Sequence, residues 1–163
     1  MILRNLITIP ECEIIYLNFM ESILRTETLR RGQVIGSITS QTLGKMDVIS
    51  QLIKKITPIV SNVLGKKITP TGFYSRKSHK GQVLYIHTDA KLYDISLTIP
   101  IAVSDNQINP LVIHKSDGDN ILLMKLGDGG LIIDANKTKH SRPPIRSDWI
   151  CNIFFQNIRI PTY

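Results

Sequence analysis

Cysteine is nearly absent. Only Cys12 and Cys151 occur in 163 residues. They form no CxxC pair for metal or redox work, and two distant thiols build no disulfide framework. A reducing, cytoplasmic setting is the simplest expectation. Long apolar runs are missing as well: none approaches the ~20 residues that a membrane span needs. The N-terminal stretch is apolar in patches, but Pro10, Glu11 and Glu13 interrupt it and no small-residue cleavage site follows. A signal peptide is therefore not expected. Aromatic residues are only 6% of the chain, and no basic stripe interleaves with them. There is no Gly-rich phosphate loop, no Ser nucleophile elbow and no pair of glutamates placed for acid–base work. Internal repeats and low-complexity segments are absent too.

What is present fits one globular unit. Hydrophobic residues make up 42% and charged residues 20%, the usual balance for a packed domain. The length predicts one domain over 1–163, with 1–66 mainly helical and 67–163 forming a β core. The net charge is +7. The bases are scattered in short clusters such as Arg30–Arg31, Lys66–Lys67 and Arg76–Lys80. Such a charge admits nucleic acid, an anionic surface or a small acidic substrate as partner, and by itself it most simply describes a basic globular protein.

The local signals change near residue 66. Thr8 and Glu11 have capping-box spacing, with Pro10 in the first turn of a helix. Ile14, Ile15, Leu17, Met20, Ile23 and Leu24 then recur near the helical period. The stretch 26–43 reads as a short strand or an irregular crossing. A second helix runs from Asp47, with apolar residues from Ile49 to Leu64, an expected kink at Pro58 and a C-cap at Gly65. After Ile68 the chain breaks into short runs bounded by Gly, Pro, Asn and Asp. Strands are expected near 70–76, 82–88, 92–103, 110–114, 120–125, 130–134 and 148–158. That spacing implies an all-β sandwich or barrel.

Four histidines are available: His79, His87, His114 and His140. His87 and Asp89 end a strand-like run. Alternation along an extended chain puts them on one face, where an imidazole and a carboxylate can grip one metal ion. The pair alone is common by chance. His140 supplies a third candidate, between one strand pattern and the next. Two imidazoles and one carboxylate on one side of a metal make the facial arrangement of non-haem Fe(II) oxygenases. His79, in a Lys-rich turn, reads as solvated, and His114 as a histidine satisfied by its surroundings. Asp117 to Asn120 reads as a tight turn, because the downstream Glu of a calcium loop is missing. Cys151 reads as packing.

The run Thr69-Pro-Thr-Gly-Phe-Tyr74-Ser-Arg76 through His87-Thr-Asp89 resembles a block of the Fe(II)- and 2-oxoglutarate-dependent dioxygenases. The strand at Asp94, the segment Leu126 to Asp134 and His140-Ser-Arg142-Pro-Pro144 are similar to later parts of that family. The last resembles a branch of small members with an HxD…HxR pattern. The resemblance covers roughly 46–157. It implies an α+β fold: a double-stranded β-helix, or jelly roll, with N-terminal helices packed on one sheet. It also implies Fe(II), 2-oxoglutarate and O2 as cofactor and co-substrates, with His87, Asp89 and His140 as metal ligands. The base that anchors the far carboxylate of 2-oxoglutarate usually stands on the strand after the distal histidine. Trp149, Ile150 and Cys151 stand there instead. Arg142 is the first candidate in its place and Arg146 the second. Tyr74, Tyr85 and Arg76 are candidate pocket residues.

The function implied is oxidation, typically hydroxylation, of a small-molecule or peptide substrate. Two alternatives remain at the level of sequence. One is a cupin-type metal-binding jelly roll without 2-oxoglutarate chemistry; the other is a basic binding module whose histidines are structural.

Overall fold

The computed structural model describes residues 1–25 and 47–159. The expected crossing at 26–43 lies outside the described residues. Two helices, α1 (Ile9–Arg25) and α2 (Asp47–Leu64), precede the main β region. The strands are β1 (Ile2–Leu3), β2 (Ile68–His79), β3 (Leu84–His87), β4 (Ile95–Val103), β5 (Leu111–Ile113), β6 (Asn120–Leu122), β7 (Gly129–Ile133), β8 (His140–Arg142) and β9 (Trp149–Arg159). They form two antiparallel sheets, a larger one in the order β1-β7-β4-β9-β2 and a smaller one in the order β3-β8-β5-β6.

The helix ends follow their sequence signals. Thr8 Oγ1 accepts from the Glu11 N–H at 3.3 Å, and Glu11 Oε2 accepts from the Thr8 N–H at 2.7 Å. This is the reciprocal capping box. Glu11 also receives Lys55 Nζ at 2.7 Å, which ties α1 to α2. At the far end of α2, Gly65 has φ 61°, and the Lys66 N–H reaches the Ser61 carbonyl. That closes the last turn in a left-handed cap that glycine takes without a Cβ penalty. The helix runs through Pro58. Proline and Lys54, whose carbonyl loses its helical donor, both lie on the exposed side, where water can replace the missing bond.

One face of the large sheet carries both helices. Ile95, Leu97, Ile99 and Ile101 of β4 and Cys151, Ile153 and Phe155 of β9 pack with Cys12, Ile15 and Phe19 of α1. Ile49, Leu52, Ile56 and Val60 of α2 join them at helical spacing. Ile14 and Leu17, expected on the apolar face of α1, are exposed. Phe19 fills the place that the periodicity assigned to its neighbours. Both thiols are buried; burial pushes the Cys12 thiol up to about 12 and that of Cys151 higher still. Both therefore act as packing groups, not nucleophiles.

The other face of the large sheet meets the small sheet. Leu111, Ile113, Leu122, Met124, Ile132 and Ala135 form a second, separate apolar cluster between them. Gly130 lies so close to Met124 and Leu111 that an added methyl would collide with the Met124 sulfur. This cluster fills only one part of the space between the sheets. The rest is lined by polar side chains, and the candidate site lies there.

Two strands were not legible as such: β1, with two residues, and β8, which carries His140 itself. The remaining strands fall within a few residues of expectation. The largest differences are three residues: 92–94 belongs to a loop, with β4 beginning at Ile95, β2 runs on to His79, and β6 ends at Leu122.

Candidate metal centre

His87 and His140 face each other across the β3–β8 pair, in register as Cα partners. Their rings lie 4.3 Å apart, centroid to centroid. Asp89 follows β3 in a loop, held by its N–H on the Ala135 carbonyl at 2.9 Å. Its Oδ1 lies 3.8 Å from His87 Nε2 and 3.6 Å from His140 Nε2. One ligand atom from each of the three residues lies within 4.8 Å of the others, and this is the one such group of three among the described residues.

A register shift between Leu84 and His87 produces this geometry. Leu84 pairs with Arg142 and His87 with His140, so three steps on β3 match two on β8. Such a bulge re-aims side chains. Simple alternation would have put Tyr85 on the same face as His87. Instead Tyr85 is 81% exposed and Ile86 60% exposed. Tyr85 is thus removed from the candidate pocket residues, while His87 turns inward.

The other ring nitrogens are committed. His87 Nδ1 lies 2.8 Å from the Tyr85 carbonyl, and His140 Nδ1 lies 3.0 Å from the Thr138 carbonyl. A carbonyl can only accept, so each Nδ1 carries a proton, and Nε2, on the side of Asp89, is the ring nitrogen that can ligate. Burial lowers the pKa of His140 below the usual histidine value, against the opposing pull of the Thr138 carbonyl and Asp89. Asp89 Oδ2 is buried and has no hydrogen-bond partner. Two imidazole Nε2 atoms and one carboxylate, with its Oδ2 orphaned, form a donor set that fits a divalent transition metal.

Around this group the interior is polar and aromatic. Tyr74 on β2 stacks on Phe154 of β9, with centroids 4.6 Å apart. Burial raises the Tyr74 pKa, and Asp89 and Tyr93 raise it further against the pull of Arg76. The phenol is therefore neutral at ordinary pH. Arg76 lies beside both rings, its Cζ 5.7 Å from the Tyr74 centroid and 5.8 Å from that of Phe154.

The two candidate anchors separate clearly. Arg142 is 5% exposed; it lies two residues beyond His140 on β8, hence on the same face. Its Nη1 donates to the Asn109 carbonyl at 3.1 Å, and its Nη2 is buried without a partner. Burial, reinforced by repulsion from Arg76, pushes its pKa down to about 10, so it is charged at neutral pH. Arg146 is exposed, and its backbone N–H bonds Asn109 Oδ1 at 2.8 Å.

His114 lies away from the group of three, as its sequence setting suggested. Its Nδ1 is 2.9 Å from Asp119 Oδ1 and its Nε2 2.8 Å from Ser141 Oγ, so both nitrogens are satisfied. This network tethers the Asp117–Asn120 turn to β8. His79 ends β2, where its N–H bonds Gln82 Oε1.

No family model matches the sequence, and no curated protein matches it either. Solved structures do. The non-heme alpha ketoglutarate dependent epimerase SnoN from nogalamycin biosynthesis superposes with a TM-score of 0.77 at 11% identity, over 96% of this chain and 76% of its own. The viral collagen prolyl hydroxylase of Paramecium Bursaria Chlorella virus-1, a truncated form, does so at 0.71 and 14% identity, over 99% and 90%. The chain has the fold of the Fe(II)/2-oxoglutarate oxygenases. An oxidoreductase of that family from Burkholderia pseudomallei gives 0.60 at 14% identity, covering 68% of this chain. The chain spans 56% of that oxidoreductase's length. Among the described residues, no helix is long and apolar enough to cross a membrane.

Proposed function

We propose that this chain is an Fe(II)- and 2-oxoglutarate-dependent oxygenase, its two sheets forming a jelly roll, that oxidises a small molecule or peptide side chain. The observation that carries the reading is the convergence of His87 Nε2, His140 Nε2 and Asp89 Oδ1, with both Nδ1 atoms tied back to main-chain carbonyls. Structural histidines have no need of such convergence on one carboxylate oxygen.

In this reading His87, Asp89 and His140 hold iron on one side and leave the other side open. Asp89 lowers the charge of the centre, and the two carbonyl tethers keep the rings aimed. Iron bound there supplies the oxidising chemistry, in which O2 and the keto acid are spent together on a C–H bond. Arg142 pairs with the far carboxylate of 2-oxoglutarate, because it is buried, charged and has a free donor on the same strand as His140. Tyr74, a neutral phenol stacked on Phe154, is assigned to the wall of this space, where the two rings help to exclude water.

The deciding experiment is an anaerobic titration with Fe(II) and then 2-oxoglutarate, following the visible charge-transfer band of the chelate. The band is expected with the parent protein and lost with His140→Ala. Metal binding with no 2-oxoglutarate binding would replace the oxygenase with a cupin-type metal protein.

A further inference from the structure

The interior holds more positive charge than the proposed reaction uses. Arg76 reaches in from β2 on the large sheet, and Arg142 from β8 on the small sheet. Phe73 packs in the helix-side core, so Tyr74 and Arg76 alternate to the opposite face of β2, towards the small sheet, while Arg142 shares the face of His140 on β8. No ion pair involves either one among the described residues. Each also has a buried nitrogen without a partner: Nε of Arg76 and Nη2 of Arg142. Arg142 is buried whole and Arg76 is half-buried with its Nε edge inside, so the desolvation of the one and of that edge of the other is left uncompensated. A fold that keeps two such guanidinium groups facing one space is built to receive anions.

A charge count says how many. With a divalent metal on His87, Asp89 and His140, the carboxylate and the two guanidinium groups bring the site to about three net positive charges. A dicarboxylate co-substrate cancels about two. One guanidinium remains unmatched. The two arginines also differ in what they offer. Arg142 is fixed by Asn109 and has Nη2 to give. Arg76 lies beside the stacked Tyr74–Phe154 pair with Nε free, the edge from which a guanidinium takes an oxyanion side-on.

We propose that Arg76 is a substrate-binding residue that seats an oxyanion, carboxylate or phosphate, of the molecule to be oxidised, while Arg142 holds the co-substrate. The substrate class is thus a small organic anion. This inference rests on the function proposed above, and its test separates the two. The nickel-loaded protein is titrated by calorimetry with 2-oxoglutarate, and the saturated complex is then titrated with acetate and, separately, with inorganic phosphate. The parent complex takes up a further equivalent of anion, and the stronger of the two probes identifies the oxyanion. Arg76→Met weakens that second binding at least tenfold and changes 2-oxoglutarate binding less than threefold. Arg142→Met does the reverse. Thermal melting of the metal-free variants checks folding. Removal of an unpaired cation should leave the melting temperature unchanged or raise it, which loss of a structural arginine would not do. Arg76→Gln serves in place of Arg76→Met should the latter fail to fold.

Equal loss of 2-oxoglutarate binding in both variants, with no second anion in the parent, overturns the proposal: both arginines would then clamp one ligand. A parent that binds no 2-oxoglutarate overturns the oxygenase reading. In that case acetate or phosphate binding that depends on Arg76 still supports the anion seat, and its absence removes that as well.

Discussion

His140 Nδ1 lies 3.0 Å from the carbonyl oxygen of Thr138, two residues back on its own chain. The contact fixes a proton on Nδ1, and so makes Nε2, on the side of Asp89, the ring nitrogen that can ligate. A ring fixed in this way loses little freedom on taking up a metal. His87→Ala, Asp89→Ala and His140→Ala should each weaken Fe(II) or Ni(II) binding by at least a hundredfold, about 3 kcal/mol, with melting temperatures close to that of the parent. Calorimetric metal titration measures this. A His140→Ala protein with parental metal affinity would remove the proposed centre. His114→Ala, whose nitrogens bind Asp119 and Ser141 instead, should leave metal affinity intact.

Arg142 and Arg146 separate the anchor question by burial. Arg142→Met should raise the Kd of 2-oxoglutarate by roughly two orders of magnitude, the ~2–3 kcal/mol of a charge-assisted pair. Arg146→Met, at an exposed position, should change it by less than threefold. Metal affinity should move in neither. The reverse pattern would put the anchor in the loop before β9.

The sequence was most legible where one local rule decided the structure. Thr8 with Glu11, and Gly65, predicted their caps, because capping depends on a few neighbouring backbone groups. Alternation brought His87 and Asp89 together, and they do converge. It failed for Tyr85, since a bulge has no signature in β3 itself and depends on its pairing with β8. β8 was invisible for a related reason. His140-Ser-Arg142 is too short and too polar to read as a strand, and its inward residues are polar because they face the site rather than an apolar core. The apolar stripe of α1 was misplaced at Ile14 and Leu17, because the sheet beneath the helix, not its own periodicity, decides which residues are covered. Arg76 was only one of several possible pocket residues. Its unpaired state is a property of three-dimensional neighbours and has no trace in the chain.

Asp128 should carry much of the attachment of the N-terminus. Its carboxylate is 3% exposed and accepts Arg4 Nη1 at 2.6 Å, the Asn5 N–H at 3.0 Å and the Lys125 N–H at 3.0 Å. Burial alone would raise its pKa, but these bonds together hold it below the usual carboxylate value. A carboxyl so lowered contributes stability that is present above the unfolded value, ~3.9, and lost as the pH falls through the folded one. Asp128→Ala should therefore cost about 2–3 kcal/mol at pH 7, chiefly from the stranded N–H groups. The difference between parent and Asp128→Asn should narrow as the pH is taken below ~4. Urea melts at both pH values measure it, and a difference that stays constant would rule out the carboxylate as the source.

Two glycines with positive φ should respond very differently to alanine. Gly65, at φ 61°, has open space where a side chain would go. Gly65→Ala should cost only the left-handed backbone penalty, about 1 kcal/mol. Gly127, at φ 81°, is wedged against the chain before α1: its carbonyl accepts the Ile7 N–H at 3.1 Å, and its own N–H bonds the Pro100 carbonyl at 3.0 Å. An added methyl would run into the Ile7 carbonyl oxygen, a backbone atom that no side-chain rotation can move away. Gly127→Ala should then cost the same penalty plus the displacement of the Ile7 segment, at least ~3 kcal/mol in all. The urea midpoints of the two variants compare the costs directly. Equal losses would mean that the Ile7 segment yields freely, and that the contact between the start of α1 and the β7 turn contributes little to the fold.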